Sequence, residues 1–93
     1  MKVLLTTLVA LIILQNEFSA AFKIYVNTPS GGTITLQAQS DEKIAAVKAE
    51  IQEEEGIPVD QQTLYYNNQE LQNVRTLGYY KIKDESTIEL EVD

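Results

Sequence analysis

The chain has no cysteine and no histidine, and only two prolines, among its 93 residues. Without cysteine there is no disulfide, so packing of a hydrophobic core has to stabilise the fold. The lack of both residue types also excludes the usual nucleophile–base pairs and typical zinc sites, so we expect no enzymatic activity, no metal and no cofactor. A length of 93 residues, with 44% hydrophobic and 23% charged residues, indicates one small folded domain.

The acidic run Glu53-Glu54-Glu55 is the one cluster of carboxylates that suggests a cation site. Consecutive helical residues point in different directions, and the spaced ligands of a calcium loop are missing. We therefore interpret the run as a solvated face of a helix.

The first residues have the layout of a secretory signal peptide. Lys2 gives a positive start, and Val3 to Leu14 is apolar except for two threonines. A bilayer-spanning helix needs about 20 apolar residues, so this run is too short to cross a membrane by itself. The alternative reading is a membrane anchor that is not cleaved.

Small residues mark the predicted cleavage site. Ser19 and Ala21 occupy positions minus three and minus one of a cut before Phe22, whereas a cut after Ala20 would place bulky Phe18 at minus three. We predict a signal peptide over residues 1–21 and a secreted domain over residues 22–93, without membrane attachment after cleavage.

The predicted mature chain opens with a β-hairpin. Apolar and polar residues alternate from Phe22 to Asn27 and from Thr33 to Gln39, and Gly31-Gly32 between the two runs suits a turn with positive φ. The period then becomes helical from Asp41 to Glu55, which predicts a helix that Ser40 or Asp41 caps. Gly56 is expected to end this helix in a left-handed conformation, and Pro58 prevents its continuation.

Shorter strands follow the helix. We predict a strand around Leu64–Tyr66, a turn at Asn67-Asn68, and a closing strand from Thr87 to Val92. In the closing strand, Ile88 and Leu90 are expected to face inward while Glu89 and Glu91 face outward.

Several segments strongly resemble ubiquitin, in ubiquitin's order and without a gap. They are Thr33-Ile34-Thr35-Leu36, Val47-Lys48-Ala49, Glu55-Gly56-Ile57-Pro58, Asp60-Gln61-Gln62, Arg75-Thr76-Leu77 and Glu85-Ser86-Thr87. The resemblance covers Phe22 to about Val92. It implies the α+β fold called β-grasp, a mixed sheet of about five strands wrapped on one helix.

Departures from that family decide what the resemblance implies about function. The family is conjugated through a C-terminal Gly-Gly, whereas this chain stops at Asp93. Of the family's chain-forming lysine positions it keeps only Lys48; the others hold Asn27, Gly32, Glu50, Glu54, Gln69 and Asp84. We expect a protein that is not conjugated and that binds its partners non-covalently, as an effector or mimic would. Alternatives are a modifier made from a longer Gly-Gly precursor, and a decayed ubiquitin copy without a selected partner.

Two further residues are expected to be structural. The resemblance makes Lys48 a half-buried lysine whose acidic partner is replaced here by Asn73. It makes Tyr80 a packing residue whose hydroxyl bonds to the backbone near Gln72. The alternative for Lys48 is a modification site.

The resemblance also points to a candidate protein-binding face. The family's apolar recognition patch corresponds here to Pro29, Tyr65, Glu89 and Glu91. We name Tyr65, Gln69, Glu89 and Glu91 as the candidate face, although an exposed tyrosine can also reflect β-propensity alone. A net charge of −7 favours a partner protein with a basic surface and disfavours nucleic acid. We expect the domain to be monomeric.

Overall fold

The computed structural model describes residues 21–93. Except for Ala21, the predicted signal peptide over residues 1–21 lies outside the described residues, so its cleavage stays a prediction.

The described residues form a mixed sheet of five strands with one α-helix. The strands are β1 (Phe22–Asn27), β2 (Thr33–Ala38), β3 (Gln62–Tyr66), β4 (Gln69–Glu70) and β5 (Thr87–Val92). The sheet order is β2-β1-β5-β3-β4; β1 and β5 run parallel, and the other neighbouring pairs are antiparallel. This arrangement confirms the predicted β-grasp fold.

Residues that permit left-handed backbone make both sheet turns. Gly31 has a φ of 94° between β1 and β2, where the Thr28 N–H donates to the Gly32 carbonyl at 2.9 Å. Asn67 and Asn68 have φ values of 52° and 65° between β3 and β4. Positive φ at both central residues of a two-residue turn matches the twist of antiparallel strands, so these asparagines fix the β3–β4 register.

Helix α1 (Ile44–Glu55) packs one stripe of side chains toward the sheet. Ile44, Val47 and Ile51 are buried on this stripe, and so is Lys48. Gly56 ends the helix at a φ of 73° and donates its N–H to the Gln52 carbonyl.

The prediction for the start of this helix was wrong. The helix begins at Ile44 rather than Asp41, and neither Ser40 nor Asp41 caps it, because Lys43 occupies the N-cap position without a side-chain hydrogen bond. The N–H groups of Ile44 and Ala45 donate instead to the backbone carbonyls of Arg75, at 2.9 Å, and Asn73, at 3.2 Å. A distant loop thus satisfies donors that a capping side chain would otherwise bind.

Across residues 21–93, thirteen hydrophobic side chains form one core. The alternation of side chains along each strand decides which residues face the core and which face solvent. In β5, Ile88 and Leu90 are buried while Glu89 and Glu91 are exposed, as predicted. The core residues are Ile24, Val26, Leu36, Ala38, Ile44, Val47, Ile51, Leu64, Leu71, Leu77, Ile82, Ile88 and Leu90. The opposite face of the sheet is therefore left to polar residues.

Candidate protein-binding face

A row of five side chains crosses the outer face of the sheet, one from each strand. Strand pairing places Thr33 opposite Asn27, Asn27 opposite Glu89, Glu89 opposite Tyr65, and Tyr65 opposite Glu70. Directly paired residues share a face of the sheet, with Cβ atoms close enough for their side chains to interact. We call this set the cross-sheet row: Thr33, Asn27, Glu89, Tyr65 and Glu70.

Hydrogen bonds orient the Glu89 carboxylate within the row. The Asn27 Nδ2 donates to Glu89 Oε2 at 2.9 Å, and Thr33 Oγ1 donates to Asn27 Oδ1 at 3.1 Å. The Thr33 hydroxyl therefore fixes which end of the Asn27 amide faces Glu89. A carboxylate held in this way presents its remaining lone pairs to a partner in a restricted direction.

Tyr65 lies between carboxylates on both sides. Loss of water around its half-buried ring raises the pKa of the Tyr65 hydroxyl, and the charges of Glu91 and Glu70 raise that pKa further. Because the phenol therefore remains protonated at neutral pH, its hydroxyl is available as a hydrogen-bond donor beside these carboxylates.

The structure brings Tyr65, Glu89 and Glu91 together but does not bring Gln69 to them. Gln69 pairs with Tyr66, whose ring packs against the core, so Glu70 takes the position opposite Tyr65. Successive strand residues point to opposite faces, so a shift of one residue exchanges the two. The two-residue turn at Asn67-Asn68 was a signal in the sequence that pairs position 65 with position 70.

A groove of about 720 Å³ runs along this face. Asn27, Thr28 and Pro29 line one part of it, and Tyr65, Glu89 and Glu91 line another. Pro29 adds a small apolar contact surface. The groove thus combines carboxylates with an aromatic ring and a small apolar surface, which suits a cationic side chain with an apolar stem.

Comparison with known proteins identifies the family. The sequence model described as "Ubiquitin family" matches residues 24–93. This chain belongs to the ubiquitin family. The match covers every strand and the helix, apart from the first two residues of β1.

Relatives in the ubiquitin family differ greatly in length. The chain is 34% identical to mouse AN1-type zinc finger protein 4 over 78% of this chain and 10% of that protein. It is 34% identical to the Arabidopsis thaliana protein DNA-DAMAGE INDUCIBLE 1, over 75% of this chain and 17% of that protein. It is 30% identical to ubiquitin-like protein 1 of Schizosaccharomyces pombe, over 72% of this chain and 86% of that protein. The chain therefore spans a small part of the first two relatives and most of the third.

Two residues named from the ubiquitin resemblance lie away from the cross-sheet row. Lys48 is 7% exposed on α1, and its backbone carbonyl accepts a hydrogen bond from Gln62 Nε2 at 2.9 Å. The Tyr80 hydroxyl accepts the Gln72 N–H at 2.8 Å. Both contacts join separate segments of the domain. The contact at Lys48 is made by its backbone, so a structural role for the Lys48 side chain stays a prediction.

Within residues 21–93, no three acidic side chains lie close enough together to hold a metal ion. The single α-helix of the same part of the chain is too short and too polar to cross a membrane.

Proposed function

We propose that this member of the ubiquitin family is a secreted, non-enzymatic protein that binds a partner protein non-covalently through the outer face of its sheet. Ubiquitin-like domains commonly bind proteins in this way. The observation that carries the proposal is the cross-sheet row, in which an oriented carboxylate and a tyrosine lie side by side over a groove.

The charge of this face selects the chemistry of the partner. Glu70, Glu89 and Glu91 are exposed around Tyr65, and Asp93 is exposed beyond the end of β5. A partner that buries an apolar spot here would leave these carboxylates desolvated and unpaired, which costs several kcal/mol. A partner that presents Lys or Arg pairs with them instead, so we propose a basic surface.

Tyr65 supplies the buried area of the proposed contact. Tyrosine is enriched among residues that dominate binding free energy, because a rigid ring covers much surface at little entropic cost. Complementary charge accelerates encounter, and salt screens that attraction. Affinity should therefore fall as ionic strength rises.

Secretion is supported by the sequence of residues 1–21 alone. We expect expression in eukaryotic cells to release into the medium a chain that begins at Phe22, which intact-mass measurement would identify. The full chain retained in the membrane fraction would contradict secretion, and would make residues 1–21 an anchor.

The binding test starts with a pull-down by the mature protein from extracellular and cytosolic extracts. Calorimetric titration of the recovered partner then compares wild type with Tyr65→Ala at two salt concentrations. We expect Tyr65→Ala to cost about 2 kcal/mol, or roughly 30-fold in affinity. The fold should remain intact, because the ring lies on the outer face of the sheet.

Charge reversal separates this face from a general effect of net charge. The double variant Glu89→Lys/Glu91→Lys should abolish the salt-dependent part of binding. Its matched control is Glu53→Lys/Glu54→Lys, which changes the net charge equally on exposed positions of α1. Unchanged affinity in both Tyr65→Ala and Glu89→Lys/Glu91→Lys would place the binding surface elsewhere. Equal loss in the control would reduce the effect to net charge.

A further inference from the structure

A second pocket, of about 370 Å³, lies where the described chain begins. Its lining comes from three places: Ala21 before β1, the end of β2 with the loop that follows, and Glu50 of α1. Asp41 and Glu42 are the charged residues that the loop contributes. The described residues that line this pocket thus include three acids and no basic residue.

Two of these acids are held against each other. The Glu42 carboxyl is close enough to that of Glu50 to raise its pKa, and a hydrogen bond between the two requires a proton on one of them. The backbone of Glu42 is fixed on both sides, since its N–H donates to Gln39 at 3.1 Å and its carbonyl accepts from Leu77 at 2.9 Å. Glu50 is fixed by the helix. The Cα positions of both acids are therefore fixed relative to each other.

The proton on this pair is retained to unusually high pH. Burial raises the pKa of Glu50 to about 8, with further contributions from the Glu42 carboxyl and from the charges of Glu53 and Glu54. Near neutral pH the pair therefore ionises incompletely, in a domain that is already strongly acidic.

Strand pairing fixes the backbone nitrogen of Phe22 at the same pocket. Phe22 pairs with Ala38, which lines the pocket, and Ala21 lines it directly. The backbone groups of β1 alternate between its two neighbouring strands. The Tyr25 N–H and the Lys23 carbonyl form hydrogen bonds with the segment just before β5, so the odd-numbered residues face that side. Even-numbered residues of β1 therefore direct their N–H groups toward β2. The bond between Ala21 and Phe22 therefore lies at the pocket that Glu42 and Glu50 also line.

That bond is the one at which the signal peptide is predicted to be cut. In the uncut chain its nitrogen is a neutral amide. After the cut it becomes an α-ammonium with an ordinary pKa of about 8, which carries a positive charge and two additional N–H donors. We propose that the new ammonium of Phe22 pairs with the carboxyls of Glu42 and Glu50, so that removal of the signal peptide stabilises the domain. This inference rests on the proposed processing.

The sign of the pH dependence follows from the groups that face the ammonium. These are Asp41 and Glu42 of the loop and Glu50 of α1, with Glu53 and Glu54 farther along the helix. Asp84 lies on the other side of β1, where its Oδ1 accepts the Lys23 N–H at 3.1 Å. All are acidic, so folding raises the pKa of the ammonium above its unfolded value. The stabilisation is present below the unfolded pKa and is lost as pH rises through the folded pKa. At the acidic end it is lost when the carboxyls take up protons.

The test compares two forms of residues 22–93, which contain the whole sheet, helix and core. One form has a free α-amine and the other carries an acetyl group on it. At pH 6.5 the free-amine form should melt about 3–6 °C higher, as expected for a partly exposed ion pair in a domain of this size. At pH 10 the two should melt together.

Variants assign the effect to the acid pair. In Glu42→Gln/Glu50→Gln the difference between free and acetylated forms should vanish at pH 6.5. In the matched control Glu53→Gln/Glu54→Gln it should persist. Equal melting of the two wild-type forms at pH 6.5 would overturn the proposal, and so would a difference that survives in Glu42→Gln/Glu50→Gln. Either result would leave the proposal of secretion intact, because cleavage is tested separately by the intact mass of the chain released into the medium.

Discussion

Gln62 Nε2 lies 2.9 Å from the carbonyl oxygen of Lys48 and 3.0 Å from that of Ile57. The Gln62 side chain is 4% exposed, so both hydrogen bonds are shielded from water. One amide therefore joins β3 both to α1 and to the segment that leaves it. A glutamine beside a turn gave no sign of this role in the sequence.

Replacing this amide should destabilise the fold. We expect Gln62→Leu, which is similar in volume, to lower the free energy of unfolding by about 1–3 kcal/mol, since a buried carbonyl loses its donor. Urea unfolding measures the change. The control Gln61→Leu, at an exposed neighbouring position, should stay within about 0.5 kcal/mol. Equal stability of both variants would show that the bridge contributes nothing.

Tyr80→Phe tests the contact with Gln72. Removal of the hydroxyl leaves the Gln72 N–H without its acceptor, and the site is open enough for water to replace part of that bond. We expect a loss of about 1 kcal/mol by thermal or urea unfolding. Tyr79→Phe is the matched control, because the Tyr79 ring is 57% exposed. A loss of the same size in both variants would contradict a specific role for the Tyr80 hydroxyl.

Glu50 should make stability fall with rising pH while the Phe22 nitrogen is an amide. Its folded pKa of about 8 lies above the unfolded value, so the folded chain binds more protons between about pH 4.5 and 8. The melting temperature of the acetylated chain should therefore decline across that window. Glu50→Gln should flatten the decline, and Glu55→Gln, at an exposed position of the same helix, should not. An identical slope in all three proteins would exclude Glu50 as its source.

A protein made of residues 22–93 alone should form no thioester with a ubiquitin-activating enzyme supplied with ATP, because those residues do not include the Gly-Gly through which the ubiquitin family is conjugated. A non-reducing gel detects the adduct. A thiol-sensitive band would contradict the prediction. Appending the Gly-Gly tail is the control, and absence of an adduct there too would implicate the altered sheet face.

Local patterns predicted most of the fold because most of its elements are defined locally. The alternation in Thr87–Val92 fixes which of its side chains face the core, and Gly56 has the φ that a helix end requires. The predicted start of α1 was wrong because that end of the helix is not defined locally. Its backbone N–H donors bind to the carbonyls of Asn73 and Arg75, about thirty residues away in the chain. Propensity at a helix end carries no information about a loop that returns to cover it.

The sequence predicted which residues form the candidate binding face but not how they are arranged on it. Tyr65, Glu89 and Glu91 followed from strand periodicity and the ubiquitin resemblance. The exchange of Gln69 for Glu70 could have been predicted from the two-residue turn at Asn67-Asn68, which sets the register of β4. The orienting role of Asn27 required the parallel pairing of β1 with β5. That pairing joins residues about sixty positions apart, which no local pattern specifies.

The parallel pairing of β1 with β5 also governs when the domain can fold. Strand β1 lies between β2 and β5, so the first strand of the domain has a complete set of neighbours only after the last strand has been synthesised. During synthesis the early hairpin therefore waits with one edge unpaired, and that edge is open to chaperones or to aggregation. The sheet is completed only when β5 pairs with β1, and this step requires closing a loop across nearly the whole domain, which slows folding.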